Sequence, residues 1–323
     1  MQTSRRRVLL VAAGAAAAPL LPALAWALDY PTRPIHLLVG FPPGFAPDIV
    51  ARIVAAPLSG RLGQTVVIDN RPGAGSTIAA DAVVHAAANG YTLLYVTLGN
   101  AINASLDRHL DFDITRDIAP VAGIVRSDSA LAVNPAVPAK TLPEFIAYAK
   151  ANPGKINFAS GGIGTAPHLA GELFKQMAGV DMVHVPYSTS FMPDLLAGRV
   201  QATFAPIATL LSNIKAGKLR ALAVTGTAPV AVLPGVPTVG QYVKGYEASV
   251  WHGVGAPRAT PGDVIAKLNS DITAVIADPA VETRIAGLGA VPMPMPPGEF
   301  GTFIDAEVKK WANVIKLAGV KPA

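Results

Sequence analysis

From Ile35 onward the chain alternates short β-rich runs with amphipathic segments. No other feature restricts the fold as much, because strands joined by helices close a core as layers of helix on a largely parallel sheet. Residues 35–40, 66–69 and 92–96 read as strands, with helices over 49–62 and 78–87 between them. Pro57 is expected to kink the first helix, since it lacks an N–H to continue the ladder. A further strand is expected near 121–125, and a new run starts at 130–133. Thr141 and Glu144 stand at capping-box spacing with Pro143 in the first turn, which marks a helix start. A second set follows, with strands over 157–160, 182–185, 202–204 and 219–224 and helices over 167–177, 191–197 and 207–216. From Pro261 the chain reads as mainly helical, over 263–276, 281–288 and 299–317, in segments expected to return to and cover the first set.

The first 27 residues read as a cleavable signal. Ser4-Arg5-Arg6-Arg7 gives a positive start, an apolar run spans 8–24, and Ala25-Trp26-Ala27 supplies an A-x-A cleavage site. The run is short for a membrane span and carries Pro19 and Pro22. The same residues suit either the general secretory route or a twin-arginine route. The expected location is outside the cytoplasmic membrane, after cleavage near Ala27.

Cleavage removes three arginines and no acid, so the formal charge falls from +5 to +2. Most of the basicity is therefore targeting. No Lys/Arg run remains to track phosphates, which argues against nucleic acid as a partner. Cysteine is absent, which excludes disulfides, thiolate metal sites and a lipid-modified N-terminal cysteine. The remaining length suits two lobes with a cleft between them. The expected division is 28–125 plus 250–323 for a discontinuous first lobe and 126–249 for the second.

The sequence offers little to an enzyme. The six histidines, His36, His85, His109, His168, His184 and His252, form no HxxH or HExxH motif. Ser160 lies in Phe158-Ala159-Ser160-Gly161-Gly162, which lacks the first glycine of a nucleophile elbow. Neither Gly73-Ala74-Gly75 nor Gly162-Ile163-Gly164 completes a dinucleotide or phosphate-loop fingerprint. No metal or cofactor is expected.

What remains is a set of loops where strands hand over to helices, which is where α/β sheets bind ligands. They are residues 41–48, 97–100 and 160–165. A helix N-terminus offers unpaired N–H groups and partial positive charge, so it can hold a carboxylate without an arginine. Each contributes about 0.3–1 kcal/mol, while micromolar binding needs about 8 kcal/mol. Direct hydrogen bonds and closure must supply the rest. Asp48 reads either as a first-turn residue or as a ligand contact, His168 as packing or site lining, and Tyr187 as core or cleft wall.

Taken in order, several segments resemble the substrate-binding proteins of tripartite tricarboxylate transporters, the Bug-type receptors. They are Tyr30-Pro31-Thr32-Arg33-Pro34-Ile35, Phe41-Pro42-Pro43-Gly44 with Asp48, Asn70-Arg71-Pro72-Gly73-Ala74-Gly75 and Asn89-Gly90-Tyr91-Thr92-Leu93-Leu94. Residues 164–174, Val185-Pro186-Tyr187 and residues 194–198 complete the set. The resemblance implies a two-lobed, type II-like periplasmic-binding-protein (Venus-flytrap) fold, no catalysis and a monomer. It also implies a periplasmic location and capture of a small carboxylate, such as a di- or tricarboxylic, acidic amino or aromatic acid, for an inner-membrane permease. By the same resemblance a pincer maps to Pro43, Gly44, Phe45 and Ala46. The facing anion site maps to Ser160, Gly164, Thr165 and His168, with Thr97, Asn100, Tyr187 and Ser188 as further walls.

Two departures make the expected site less polar than the family pattern. Phe45-Ala46-Pro47 stands where a second glycine and small polar residues are usual, so Phe45 is expected either to stack on an apolar acid or to pack away from the cleft. Residues 188–192 and Ala205-Pro206 lack the usual basic, glycine-rich and polar residues. Two competing functions stand beside transport: the same receptor serving a sensor, and a secreted hydrolase using Ser160 with His168 or His184.

Overall fold

The computed structural model describes residues 30–106 and 110–320. The expected signal, its A-x-A site and His109 lie outside the described residues. Among the described residues no helix is long and apolar enough to cross a membrane.

The first stretch runs β1 (Ile35–Val39), α1 (Ala46–Leu62), β2 (Val66–Asn70), α2 (Thr77–Val84) and β3 (Thr92–Thr97). Residues 97–100, expected to be a loop, instead open a helix, α3 (Leu98–Leu106). The cause is local: Asn100 Oδ1 accepts both the Thr97 amide at 2.9 Å and the Thr97 hydroxyl at 3.2 Å. A side chain in the first turn thus reaches back to the cap residue, as in the reciprocal half of a capping box.

Then come α4 (Ile114–Asp117), β4 (Ile118–Ser127), β5 (Ser129–Val133), α5 (Leu142–Ala151), β6 (Ile156–Ser160) and α6 (Ala166–Ala178). They are followed by β7 (Met182–Pro186), α7 (Met192–Leu196), β8 (Ala202–Pro206), α8 (Ile207–Lys215) and β9 (Arg220–Val224). The start of α5 follows its signal, with Thr141 Oγ1 accepting the Glu144 amide. Glu144 itself accepts from Lys140 N at 2.7 Å, one residue earlier than a capping box requires. The last stretch holds β10 (Val250–Pro257), α9 (Gly262–Ile276), α10 (Pro279–Ala286), β11 (Ala290–Met295) and α11 (Pro297–Ala318).

The strands form two sheets, ordered β11-β4-β10-β3-β1-β2 and β7-β6-β8-β5-β9. Together with their helices they make a two-lobed α/β fold. The expectation of parallel strands holds only in part. β1 pairs parallel with β2 and β3, and β6 with β7 and β8, but β10 is antiparallel to both β3 and β4, β11 to β4, and β5 to β8 and β9. β10 and β11 account for much of the difference in the first sheet, and composition hid both. β10 carries two glycines and ends in proline, and β11 contains Pro292 and Pro294. Those prolines are tolerated because β11 is an edge strand. Gly253 in β10 is required by close approach, since a Cβ there would lie 2.2 Å from the Phe300 ring and 2.6 Å from the Ala122 carbonyl.

The first sheet takes strands from both ends of the chain, and the second from the middle. The chain passes between them at Asp128, where β4 ends and β5 begins, and again between β9 and β10. The C-terminal helices cover more than the first sheet. α11 packs on β4 and α3 and also reaches α6, where Gln176 donates to the Val314 carbonyl at 3.2 Å. Its buried Glu307 is a hub: Oε2 accepts the indole N–H of Trp251 at 2.9 Å and of Trp311 at 3.0 Å. Lys310 pairs with Glu307 Oε1 and with Glu247 Oε2.

Candidate functional site

Four helices begin at one cavity of about 460 Å³. Ala46 and Pro47 of α1 and Leu98 and Gly99 of α3 come from the first lobe, and Thr165 and Ala166 at α6 and Ile207 and Ala208 of α8 from the second. Each start leaves backbone N–H groups without a partner inside the helix and a partial positive charge. The remaining wall is mostly apolar, including Phe41, Ile102, Leu106, Ile163, Val250 and Leu288. Among the described residues the lining holds no Lys or Arg, and its one charged side chain is Asp128. Burial raises the Asp128 carboxyl above the ordinary range, against the opposing charge of Arg126. Of the Ala205-Pro206 pair, Pro206 lines the cavity, followed by Ile207 and Ala208, and Ala205 does not.

Of the residues singled out from sequence, Ala46, Thr97, Gly164 and Thr165 line the cavity. Pro43, Gly44 and Phe45 stand on an exposed loop beside it, and Phe45, 59% exposed, neither packs away nor lines the wall. Asp48 is buried behind that loop. Its carboxylate accepts from the Gly44 amide at 2.9 Å, the Asn70 amide at 2.9 Å and Arg52 at 2.9–3.0 Å. Burial works against ionisation, yet the Arg52, Gly44 and Asn70 bonds outweigh it and hold the carboxyl below the ordinary range. Asp48 therefore fixes the 43–46 loop and does not line the cavity. Asp48→Ala is expected to cost about 2–3 kcal/mol in urea unfolding, because it strands charge-assisted partners, and Asp48→Asn is expected to cost less.

Asn100 lies behind the wall as well, holding the start of α3. Its amide also reaches the Ser76 carbonyl at 3.4 Å, and one turn on Asn103 donates to Ala74 O at 2.7 Å and Gly75 O at 3.2 Å. These two asparagines secure a strained turn in which Gly73, Ala74, Gly75 and Ser76 all have positive φ. Gly75 and Asn103 line the cavity, and sequence reasoning passed over both. The turn's signal was the Gly73-Ala74-Gly75 run. That of Asn103 was its place one turn after Asn100.

In the second lobe the expected anion residues brace a loop. Ser160 is fully buried, exchanging hydrogen bonds with Gly162 and meeting His184 Nε2 at 2.6 Å. His168 Nδ1 accepts the Gly164 amide at 3.0 Å, and its ring stacks on His184 with centroids 3.7 Å apart. Burial first, then the other imidazole and Lys175, lowers His168 to about 3, and burial with Lys175 lowers His184 to about 4, so both are neutral. A serine with no accessible surface cannot reach an ester. Tyr187 donates to Asp194 at 2.7 Å, and Ser188 is exposed beside it, so neither lines the cavity.

Sequence reasoning also missed His252 on β10. It lines the cavity opposite Thr97 in the β3–β10 ladder, and its Nδ1 lies 3.1 Å from the Tyr95 hydroxyl. Burial lowers its pKa to about 4 and raises that of Tyr95 well above 10, so both side chains are neutral.

Residues 50–320 match the family designated Tripartite tricarboxylate transporter family receptor. Protein BugT of Bordetella pertussis is 36% identical over 297 residues, covering 90% of this chain and 91% of that protein. Among solved structures, R. palustris Rpa4515 with adipate is 35% identical at a TM-score of 0.77, with 91% of this chain and 100% of that chain covered. MatC (Rpa3494) from Rhodopseudomonas palustris with bound malate is 30% identical at 0.72, with 88% and 100% covered. The chain belongs to the tripartite tricarboxylate transporter receptors, the Bug-type solute-binding family, and is a receptor and not an enzyme.

Proposed function

We propose that this receptor works in the periplasm, captures a small organic carboxylate in the cavity between its lobes, and presents it to an inner-membrane permease of the tripartite tricarboxylate type. The observation that carries the reading is the meeting of four helix N-termini at a cavity whose described lining has no Lys or Arg. Such a wall favours an anion through backbone N–H groups and leaves the apolar remainder to the ligand's carbon body. Adipate and malate in the two structural relatives support the same class.

The residues around Asp128 and between β9 and β10 join the two sheets, and we assign the hinge to them, with lobes over 28–125 plus 250–323 and over 126–249. A ligand that touches both lobes favours the closed state only by its difference in affinity for the two states, and that difference is what a permease would read.

A thermal-shift screen of the mature protein against aliphatic dicarboxylates, hydroxy acids, acidic amino acids and benzoates tests this. An acid at 100 times its Kd stabilises the folded state by about 2.7 kcal/mol, which at about 2–4 °C per kcal/mol gives a rise of several degrees. Failure of every acid would reject the carboxylate reading.

A further inference from the structure

We propose that His252 is a ligand-contacting residue whose Nε2–H donates to a ligand oxygen at the N-terminal end of α3. The proposal rests on the carboxylate reading above and assigns one donor within it. The Tyr95 hydroxyl is fully buried, and His252 Nδ1 is its hydrogen-bond partner. A hydroxyl carries one proton and must place it. Were Nδ1 protonated, the tyrosine proton would face a donor and be left unpaired in the interior, whereas with Nδ1 as acceptor both groups are satisfied. The tyrosine therefore donates and Nδ1 accepts. In a neutral ring the single N–H then sits on Nε2.

Among the described residues Nε2 has no hydrogen-bond partner, although His252 is only 5% exposed. The surface it retains belongs to the cavity wall, in the same layer as Thr97 at the entry to α3. A neutral N–H beside a helix start adds a donor for a carboxylate and adds no charge. Tyr95 acts one step back, as a positioning residue that fixes the tautomer.

Two measurements on the full mature chain test the assignment. Long-range nitrogen–proton NMR of the wild-type imidazoles is expected to show His252 as the Nε2–H tautomer, with that resonance moving when adipate, malate or benzoate saturates the protein. Calorimetric titration with the same acids is expected to show about tenfold or greater weakening in His252→Phe, which keeps the ring volume and removes the donor. His252→Gln, which can place an amide N–H near the Nε2 position, is expected to stay within about threefold of wild type. An Nδ1–H tautomer, an unmoved resonance on binding, or wild-type affinity in His252→Phe would each overturn the proposal and leave the carboxylate reading intact. If wild type binds none of the three acids, the His252 assignment falls as stated, and the wider acid screen then decides the carboxylate reading.

Discussion

Replacing Glu307 by alanine is expected to lower the stability of this receptor by about 3–5 kcal/mol, the largest loss expected from any single side chain described above. Glu307 is 5% exposed and holds three groups at once. Both indole N–H groups, from Trp251 on β10 and Trp311 on α11, converge on Oε2, while Lys310 occupies Oε1. Truncation leaves two buried donors and one ammonium without that acceptor, and also opens a void between two of the largest side chains of the core. Glutamine separates the effects. Its carbonyl can still accept from both indoles, but its amide would face the Lys310 ammonium, so an intermediate loss is expected. Urea unfolding with an unchanged m-value is the measurement. A cost under about 1 kcal/mol for Glu307→Ala would show that the hub does not secure α11 to the first sheet.

That hub also shows what the sequence conceals. Trp251, Glu307 and Trp311 come from two distant segments, and no periodicity links the first to the other two. The strands and helices of 35–96 and 141–224 were legible because each has its own hydrophobic run and its own start or stop residues. β10 and β11 were not, because glycine and proline there answer to packing against Phe300 and to an edge position. The site divides in the same way. The loops over 41–48, 97–100 and 160–165 were legible as strand-to-helix junctions from their turn chemistry, although the helices begin earlier than periodicity suggested, at Ala46, Leu98 and Ala166. Local sequence does not settle which polar side chains face inward, and the hydrogen bonds of Asp48, Asn100, Ser160 and His168 go to the loops that carry the wall. His252 was invisible for the converse reason: on the sequence it is a lone histidine, and only the β3–β10 register places it beside Thr97.

The same buried imidazoles predict a loss of stability in mild acid. Burial holds His168 at about 3 and His184 and His252 at about 4, against an ordinary value of 6.5. As pH falls through 6.5 the unfolded chain takes up protons that the folded chain refuses. Stability from these groups is therefore complete above about 6.5 and is lost as pH falls toward the folded values. Each wholly refused proton is worth up to about 1.4 kcal/mol per pH unit. His168 and His252 are nearly inaccessible, while His184 retains more solvent contact and contributes less. Asp128 works in the opposite sense, because its raised carboxyl binds a proton before the unfolded chain does and offsets part of the loss. The net expectation between pH 6.5 and 4.5 is a fall of about 3–5 kcal/mol, read from urea midpoints at fixed m. A double variant, His168→Asn with His184→Gln, keeps an acceptor for Gly164 and a partner for Ser160 but cannot titrate. It is expected to be less stable at pH 7 and to lose clearly less than wild type on acidification, with His252 left to supply most of the remaining slope. A wild-type midpoint that stays level down to pH 4.5, or a double variant as acid-sensitive as wild type, would mean that the stacked pair accepts protons in the folded state.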